Sequence, residues 1–217
     1  MKKGDFIKID FTASIVDTGK VFDTTKKETA EKNNLNPEAE YKPTDIIVGE
    51  RFVVLGLDDE LLNHNVGESF EIEIPPERAF GVRLPSFLRL LPMSDFKKKD
   101  IYPYPGLTLN VDDSFGVVRS VSGGRVTVDF NHPLAGKKIK YSVTILEKIE
   151  KKEEQAKVLT SFYGIKDAEV KLNENKLEIT TKTNIPKVVK DVIIDSMKKN
   201  LNIQEVNITE TSNKTED

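Results

Sequence analysis

The sequence predicts an α+β protein, in which an antiparallel β domain is interrupted by a small β-rich module and followed by a C-terminal α/β unit. Three observations lead to this prediction. Apolar and polar residues alternate over residues 7–12 and again over residues 138–145, which is the period of half-buried strands. Prolines and short strand patterns between these segments indicate a separate module. Helix and strand patterns follow in the order α-β-β-α-β after residue 151.

The first domain is predicted to hold three strands and one helix before the module begins. The strand over residues 7–12 leads to a turn at residues 17–20, where Gly19 suits a positive φ. Residues 25–43 are polar and predict a surface loop or a short exposed helix. The remaining elements are a strand over residues 46–48, an amphipathic helix over residues 53–62 and a strand over residues 70–74.

The segment from residue 84 to residue 129 changes character. Prolines are scattered among apolar side chains in its first half. Three short strands are predicted after them, over residues 107–111, 116–121 and 125–130, with turns at residues 112–114 and 122–124. This pattern predicts a small β-rich module with a partial core of its own.

A third unit follows a charged connector at residues 147–154. Its first helix has an apolar face of Val158, Leu159 and Phe162, and two strands pair around residues 173–175. Its second helix is predicted to begin after an Asn184 N-cap and to bury one face, formed by Val188, Val189, Val192, Ile193 and Met197. A last strand at residues 206–208 precedes the tail TETSNKTED, which is predicted to be disordered.

Composition excludes several classes of protein. The 217 residues carry 33 basic and 36 acidic side chains, and this balance argues against a nucleic-acid partner. The absence of cysteine excludes disulfides and thiolate catalysis. Neither a signal peptide nor an apolar run of membrane-spanning length is found, so we expect a cytoplasmic protein with no membrane partner. His64 and His132 fit no metal-binding or nucleophilic motif, so no metal and no cofactor is expected.

Four segments, in this order, resemble the FK506-binding-protein (FKBP) class of prolyl isomerases. The first joins residues 9–13 to the run G-K-V-F-D-T at residues 19–24, and the second joins V-G at residues 48–49 to V-V-L-G-L at residues 53–57. The third joins V-G-E at residues 66–68 to I-P-P-E-R-A-F-G at residues 74–81. The fourth, V-D-F-N-H-P-L-A-G-K at residues 128–137, resembles the SlyD-like branch, in which an insert-in-flap chaperone module follows the third motif.

This resemblance covers residues 1–150 and implies an FKBP-like half-barrel, an antiparallel sheet with a short helix. It implies an isomerase domain of residues 1–84 and 130–150, an insert-in-flap domain of residues 85–129, and a C-terminal α+β domain of residues 151–217. The C-terminal extension resembles the long archaeal type. The implied activity is cis-trans isomerisation of X-Pro bonds in unfolded or partly folded polypeptides.

The resemblance also implies the residues of the site. The catalytic residues are expected to be Phe11, Asp23, Phe80 and Tyr141. The substrate-binding residues are expected to be Phe22, Val53, Val54, Leu57, Ala79, His132 and Leu134. An isomerase that narrows the free-energy difference between a planar imide and a twisted one needs a dry, apolar wall, and it needs neither an acid nor a base. Leu57 stands where many members carry tryptophan, and Phe80 where tyrosine is common.

Simpler interpretations of the same residues stay open. Alternating apolar residues such as Ile9, Phe11 and Tyr141 are what any β core contains. Asp23 could equally be a turn residue. An FKBP-like fold could also serve as a non-catalytic chaperone or scaffold, as the departures at Leu57 and Phe80 allow.

The inserted module is expected to bind unfolded polypeptides that contain proline. Its predicted chaperone surface is Phe87, Leu88, Leu91, Met93, Phe96 and Ile101. About half of these side chains are expected in the module's own core, because so small a module must bury most of its apolar residues. A homodimer through the C-terminal domain is a further possibility, since an unpaired strand edge favours pairing with a second chain.

Overall fold

A computed structural model describes residues 1–111 and 114–211. The chain divides into two compact units. Unit 1 contains Met1–Ser14, Val21–Ile72 and Tyr141–Asp217, and unit 2 contains Ile15–Lys20 and Glu73–Lys140. Within the described residues, no helix is both long and apolar enough to cross a membrane.

The secondary structure is mixed, with short helices between antiparallel strands. The strands are β1 (Phe6–Ile15), β2 (Val21–Thr24), β3 (Thr44–Ile47), β4 (Ser69–Ile74), β5 (Leu88–Pro92), β6 (Thr108–Val111), β7 (Ser114–Ser122), β8 (Arg125–Asp129), β9 (Ile139–Lys148), β10 (Glu169–Asn173), β11 (Lys176–Thr181) and β12 (Glu205–Glu210). The helices are α1 (Lys27–Lys32), α2 (Leu55–Leu61), α3 (Met93–Lys97), α4 (Lys152–Phe162) and α5 (Lys187–Leu201).

The first sheet is built around β1. Its strand order is β2-β1-β9-β4, and β3 also pairs with β1. β1 is ten residues long, so β3 pairs along its first half and β2 along its second half. The predicted alternation is confirmed at Ile7 and Ile9, which are fully buried. Phe6 is buried as well, so the prediction of a strand covered on one face is wrong at the start of β1.

The cover over Phe6 comes from the C-terminal part of the chain. One core cluster of unit 1 joins Phe6 and Ile47 to residues of α4, α5, β11 and β12. The predicted order α-β-β-α-β is confirmed there, as α4, β10, β11, α5 and β12. β10 and β11 form an antiparallel hairpin, and β12 lies parallel to β11 after the crossover through α5. Parallel neighbours require such a crossover.

Two predictions about the C-terminal unit are corrected. Helix α5 buries Ile193, Met197 and Leu201, whereas Val188 and Val192 are exposed. The buried residues recur every fourth position and form a narrow stripe, so the neighbouring positions fall outside it. The tail predicted to be disordered begins with Thr209 and Glu210, which belong to β12, and residues 212–217 lie outside the described residues.

The inserted module forms a four-stranded antiparallel sheet in the order β5-β8-β7-β6. Its core consists of Phe96, Leu109, Val118, Val126 and Val128. The three predicted strands are confirmed as β6, β7 and β8, while β5 and α3 were not predicted. β5 ends at Pro92, and an edge strand tolerates proline because one of its sides carries no ladder hydrogen bonds. Of the predicted turn at residues 112–114, residues 112–113 lie outside the described residues.

Candidate functional site

Three of the predicted catalytic side chains stand on three neighbouring strands of the first sheet. Phe11 lies on β1, Asp23 on β2 and Tyr141 on β9. The ring centroids of Phe11 and Tyr141 are 5.8 Å apart, and the rings are tilted by 50°. Asp23 pairs with Ala13, and directly paired residues project from the same face, as do residues 11 and 13 of one strand. The sheet therefore brings the three side chains to one face.

An irregularity in the β1–β2 ladder affects the neighbouring residue, Phe22. Asp23 is opposite Ala13 and Val21 is opposite Ser14, so β2 contains one extra residue, Phe22, at this point of the ladder. An extra residue of this kind is a β-bulge, which breaks the alternation of side chains and re-aims one of them. Phe22 is half-buried. Consecutive residues of a regular strand point to opposite faces of the sheet. Because of the bulge, Phe22 and Asp23 need not do so.

Two threonines that follow Asp23 fix the path of β2 against β1. The Thr25 hydroxyl accepts the backbone N–H of Phe11 at 2.9 Å and donates to Oδ1 of Asp10 at 2.7 Å. The Thr24 hydroxyl donates to the carbonyl oxygen of Phe11 at 3.0 Å. Both threonines are buried. Sequence reasoning missed this network, and the signal for it was a pair of adjacent hydroxyl residues directly after Asp23.

The electrostatic environment distinguishes Asp23 and Tyr141 from ordinary surface residues. Desolvation by the surrounding protein raises the pKa of Asp23, and a hydrogen bond from the backbone N–H of Thr24 partly opposes this. Asp23 is nevertheless exposed to solvent. Burial, and to a smaller extent the negative charge of Asp23, raises the pKa of Tyr141 to about 12. Its hydroxyl therefore stays protonated at neutral pH and can donate a hydrogen bond.

Val53, Val54 and Leu57 lie where β3 connects to α2. Val54 is the N-cap residue of α2, and Leu57, in the first turn of that helix, is fully buried. The carboxylate of Asp58, only 2% exposed, accepts the backbone N–H of Gly49 at 2.7 Å and that of Arg51 at 2.9 Å. Sequence reasoning treated Asp58 as one of several polar residues between apolar ones. The available signal was a carboxylate in the first turn of a helix, where it stabilises nearby N–H groups.

The other predicted residues, Ala79, Phe80, His132 and Leu134, belong to unit 2. The rings of Phe80 and His132 are stacked, with centroids 4.9 Å apart and an interplanar angle of 1°. Within this unit, the backbone N–H of Gly136 donates to the carbonyl oxygen of Gly81 at 2.8 Å, joining the two segments that carry these rings. Phe80, Ala79 and Leu134 are half-buried and His132 is exposed. The structure thus brings Phe80 and His132 together as a pair.

The predicted chaperone surface divides between core and solvent. Phe96 is 5% exposed and belongs to the module's core, and Leu91, Met93 and Ile101 pack partly against that core. Phe96 therefore has no surface to offer a partner, because so small a sheet needs it for its own core. Phe87 and Leu88 are exposed. The exposed apolar side chains that were not predicted are Leu90, Tyr102, Tyr104 and Phe115.

A buried carboxylate ties together the two segments that enter and leave the module. Asp129 is 1% exposed and forms ion pairs with Arg83 and with Arg119, whose Nε lies 3.0 Å from Oδ2. Asn131 accepts the backbone N–H of Leu84 at 2.9 Å and donates to its carbonyl oxygen at 3.1 Å. Asn131 also donates from its side chain to Asp129 at 2.8 Å. We call these four side chains the neck network.

Two further features bear on ligands. In the part of the chain that the structure describes, no cluster of three or more histidine and carboxylate side chains has a geometry that would hold a metal ion. An open cavity of about 600 Å³ lies beside α1. It is lined by Lys27, Ala30, Glu31, Asn34, Leu35, Pro37, Ala39, Glu40 and Tyr41. None of the predicted site residues is among them.

Comparison with known families gives two matches. The family model described as FKBP-type peptidyl-prolyl cis-trans isomerase matches residues 1–88. The family model described as FKBP26, IF domain, matches residues 89–134. Together the two matches run through the motifs around Asp23, Val53 and Phe80 and through most of the inserted module.

Several named proteins are similar over much of the chain. The short-type peptidyl-prolyl cis-trans isomerase of Methanocaldococcus jannaschii is 34% identical over 146 residues, which is 67% of this chain and 92% of that protein. The FKBP-type peptidyl-prolyl cis-trans isomerase SlyD of Helicobacter pylori is 28% identical over 132 residues, which is 59% of this chain and 71% of that protein. A crystal structure of the three FKBP domains of wheat FKBP73 aligns with 69% of this chain and 40% of that chain, at 18% identity and a TM-score of 0.35.

Proposed function

The chain belongs to the FKBP-type peptidyl-prolyl cis-trans isomerase family, and from this premise we propose that it rotates X-Pro bonds of unfolded or partly folded polypeptides at the face that carries Phe11, Asp23 and Tyr141. The observation that carries the proposal is the grouping of these side chains on three adjacent strands, with the Phe11 and Tyr141 rings 5.8 Å apart. The finer assignment, to the long archaeal type with an insert-in-flap domain, is part of the same proposal.

The proposed mechanism requires no proton transfer. The X-Pro bond has partial double-bond character, with a rotation barrier of about 20 kcal/mol. When the bond twists, amide resonance is lost and the peptide dipole falls. A desolvated aromatic face therefore disfavours the planar ground state relative to the twisted one. An acceleration of about 10⁴ requires only about 5.5 kcal/mol of this difference.

The polar groups of the site have complementary roles in the proposal. The Tyr141 hydroxyl, with a pKa raised to about 12, is a permanent donor toward a substrate carbonyl. The Asp23 carboxylate, partly desolvated, polarises the wall against which the imide turns. Phe22, Val53 and Val54, which are half-buried, are proposed as the apolar contacts for the proline ring. Leu57 is fully buried and is left out of this contact surface. Ala79, Phe80, His132 and Leu134 are proposed as further contacts to the polypeptide, from their place in the matched motifs.

Single substitutions test the site. We expect Asp23→Ala and Phe80→Ala to lower kcat/KM on a short X-Pro peptide by roughly tenfold or more, which corresponds to about 1.4 kcal/mol of transition-state stabilisation for each factor of ten. Asp17→Ala is the matched control for the first variant, since Asp17 is exposed in the turn that joins β1 to β2. Full activity in both site variants, with the fold unchanged, would reject the proposed site.

The inserted module is proposed as a polypeptide-binding surface that delivers substrate. Its exposed apolar residues support this, because Leu90 is 55% exposed, Tyr102 is 83% exposed and Phe115 is 74% exposed although the module has a packed core. Apolar side chains left in solvent next to a complete core are typical of an interaction surface. Weak capture there raises the effective concentration of prolines near the isomerase site.

The homodimer and the cytoplasmic location, both expected from the sequence, remain predictions. A homodimer through the C-terminal domain of residues 151–217 is one, and sedimentation of the full chain over a range of concentrations tests it. The outer strands of the C-terminal sheet, β10 and β12, are where a variant that abolishes such a dimer would be placed. The cytoplasmic location is the other.

A further inference from the structure

The segment between β3 and α2 carries two of the residues assigned to substrate. We call residues 49–54 the valine loop, because it ends in Val53 and Val54. The inference below rests on the proposed function, in which these two valines contact the proline ring. Such a contact is effective only if the loop holds one conformation, since a displacement of about 1 Å in a binding group can cost as much as a hundredfold in rate.

The valine loop has an unusual backbone path that needs support. Gly49 has φ +79° and Arg51 has φ +61°, and a non-glycine residue in the left-handed region is disfavoured unless its surroundings hold it there. Part of the support is local. The buried Asp58 carboxylate binds the N–H groups of both residues, at 2.7 and 2.9 Å. These bonds fix the first half of the loop to helix α2.

The rest of the support comes from the C-terminal part of the chain. The ring of Phe52 is stacked on Phe162, the last residue of α4, with centroids 4.1 Å apart and an interplanar angle of 28°. Tyr163 packs edge-on against Phe162, with a centroid distance of 5.4 Å and an interplanar angle of 82°. Phe52 also packs against the core cluster that α4 and α5 share. The loop residue directly before Val53 is therefore held by a different part of the sequence.

A second contact holds the loop two residues earlier. Nζ of Lys199, near the end of α5, lies 3.0 Å from each carboxylate oxygen of Glu50. The two contacts come from different helices and reach alternate residues of the loop, Glu50 and Phe52. An exposed ion pair contributes little by itself, so we expect the aromatic stack to have the larger effect.

We propose that the C-terminal unit is a positioning element of the isomerase site, with Phe162 and Lys199 as its positioning residues. Neither residue is assigned to contact substrate. Both act through the valine loop, by keeping Glu50 and Phe52 in place and so holding Val53 and Val54 ready for the proline ring. This gives the α-β-β-α-β unit a role in catalysis by the same chain, independent of any dimer it forms.

The aromatic contact is tested in the full chain. We expect Phe162→Ala to lower kcat/KM on a short X-Pro peptide by about tenfold, mainly through a higher KM, because the loop contributes to binding in both the ground state and the transition state. Phe162→Tyr keeps the ring and is expected to restore activity. Val188→Ala is the matched control, since it truncates a 75% exposed apolar side chain of the same unit.

The ion pair supplies a second test, which does not depend on the aromatic stack. We expect Lys199→Glu to raise KM about threefold, and the exchange Glu50→Lys with Lys199→Glu to restore it, since the pair is then reversed in sign but intact. Lys198→Glu is the control, because it makes the same change of net charge at the adjacent exposed position. Should Phe162→Ala fail to fold, this surface series decides the question alone.

The outcomes separate this inference from the proposed function. If Asp23→Ala loses activity while Phe162→Ala and Lys199→Glu match the wild-type chain, the positioning role is rejected and the isomerase site stands. Equal losses in Lys199→Glu and Lys198→Glu also reject it, because the effect would then be one of net charge. If the wild-type chain itself does not accelerate exchange, the proposed function fails first.

Discussion

Tyr141 is a residue whose ionisation is changed by folding. It is 6% exposed, and burial followed by the charge of Asp23 raises its pKa to about 12 from an ordinary value near 10. Because Tyr141 has a higher pKa in the folded chain than in the unfolded chain, its contribution to the free energy of unfolding is fully present below pH 10. This contribution is lost as the pH rises from about 10 to about 12, because the unfolded chain releases its proton first.

This shift predicts a pH-dependent difference between two variants. Two pKa units correspond to about 3 kcal/mol, an order-of-magnitude figure. We therefore expect the wild-type chain to lose more stability than Tyr141→Phe when urea unfolding is measured at pH 8 and again near pH 11. The other ionisable groups are common to both proteins and cancel in the difference. Parallel curves for the two proteins over this range would show that the Tyr141 hydroxyl is not buried beside a carboxylate.

How far the sequence predicts individual residues depends on the range of the contact. The family resemblance over several separate segments selected Phe11, Asp23 and Tyr141, and the structure places them on one face. The bonds of Thr25 to Asp10 and Phe11 were not predicted, because they depend on the register between two strands. Phe96 was assigned in part to the surface, since hydrophobicity alone does not tell which apolar side chain of a small sheet points inward.

The neck network is expected to stabilise unit 2, because it joins the segments on either side of the module. Asp129 receives two arginines and the Asn131 side chain, and it is buried while the arginines are 36% and 48% exposed. Removal of one partner from a buried pair costs about 3–5 kcal/mol, and the partial exposure of the arginines reduces this. We expect Asp129→Ala to lower the free energy of unfolding of unit 2 by about 2–3 kcal/mol.

The control for this prediction is a second carboxylate in the same module. Asp95 on α3 pairs with Lys98 at 3.7 Å and is 55% exposed, so Asp95→Ala should cost no more than about 0.5 kcal/mol. Asn131→Ala should fall between the two, at about 1 kcal/mol. The measurement is urea unfolding followed by a probe within the module. Equal stability of the Asp129 and Asp95 variants would mean that the neck network contributes nothing.

Predictions of elements succeeded where periodicity was local and failed where the cover came from elsewhere. β1, β9 and the order of the C-terminal elements follow from patterns of five to ten residues. The burial of Phe6 does not, because the residues that cover it lie more than 140 positions later in the chain. Helix α5 was predicted with too wide an apolar face, since the sequence does not show that Val188 and Val192 stay exposed.

For the whole molecule, the proposal divides catalysis and capture between two surfaces. We expect a triple variant, Leu90→Ser, Tyr102→Ser and Phe115→Ser, to lose two abilities for the most part. It should no longer suppress aggregation of an unfolded protein, and it should no longer accelerate proline-limited refolding. Its turnover of a short peptide should not change, because these exposed side chains belong to the capture surface alone. Val188→Ser, at a 75% exposed position outside the module, is the control. Unimpaired aggregation suppression in the triple variant would refute this division.

In the proposed mechanism, an aromatic face lowers the barrier to rotation about an X-Pro bond without an acid or a base. Exchange between the cis and trans forms of a short X-Pro peptide, followed by NMR with a catalytic amount of the full chain, measures this directly. Uncatalysed exchange takes tens to hundreds of seconds. We predict exchange that is much faster than this, in proportion to protein concentration and unchanged by a chelator. An exchange rate equal to that in buffer, with the protein folded, would contradict this mechanism.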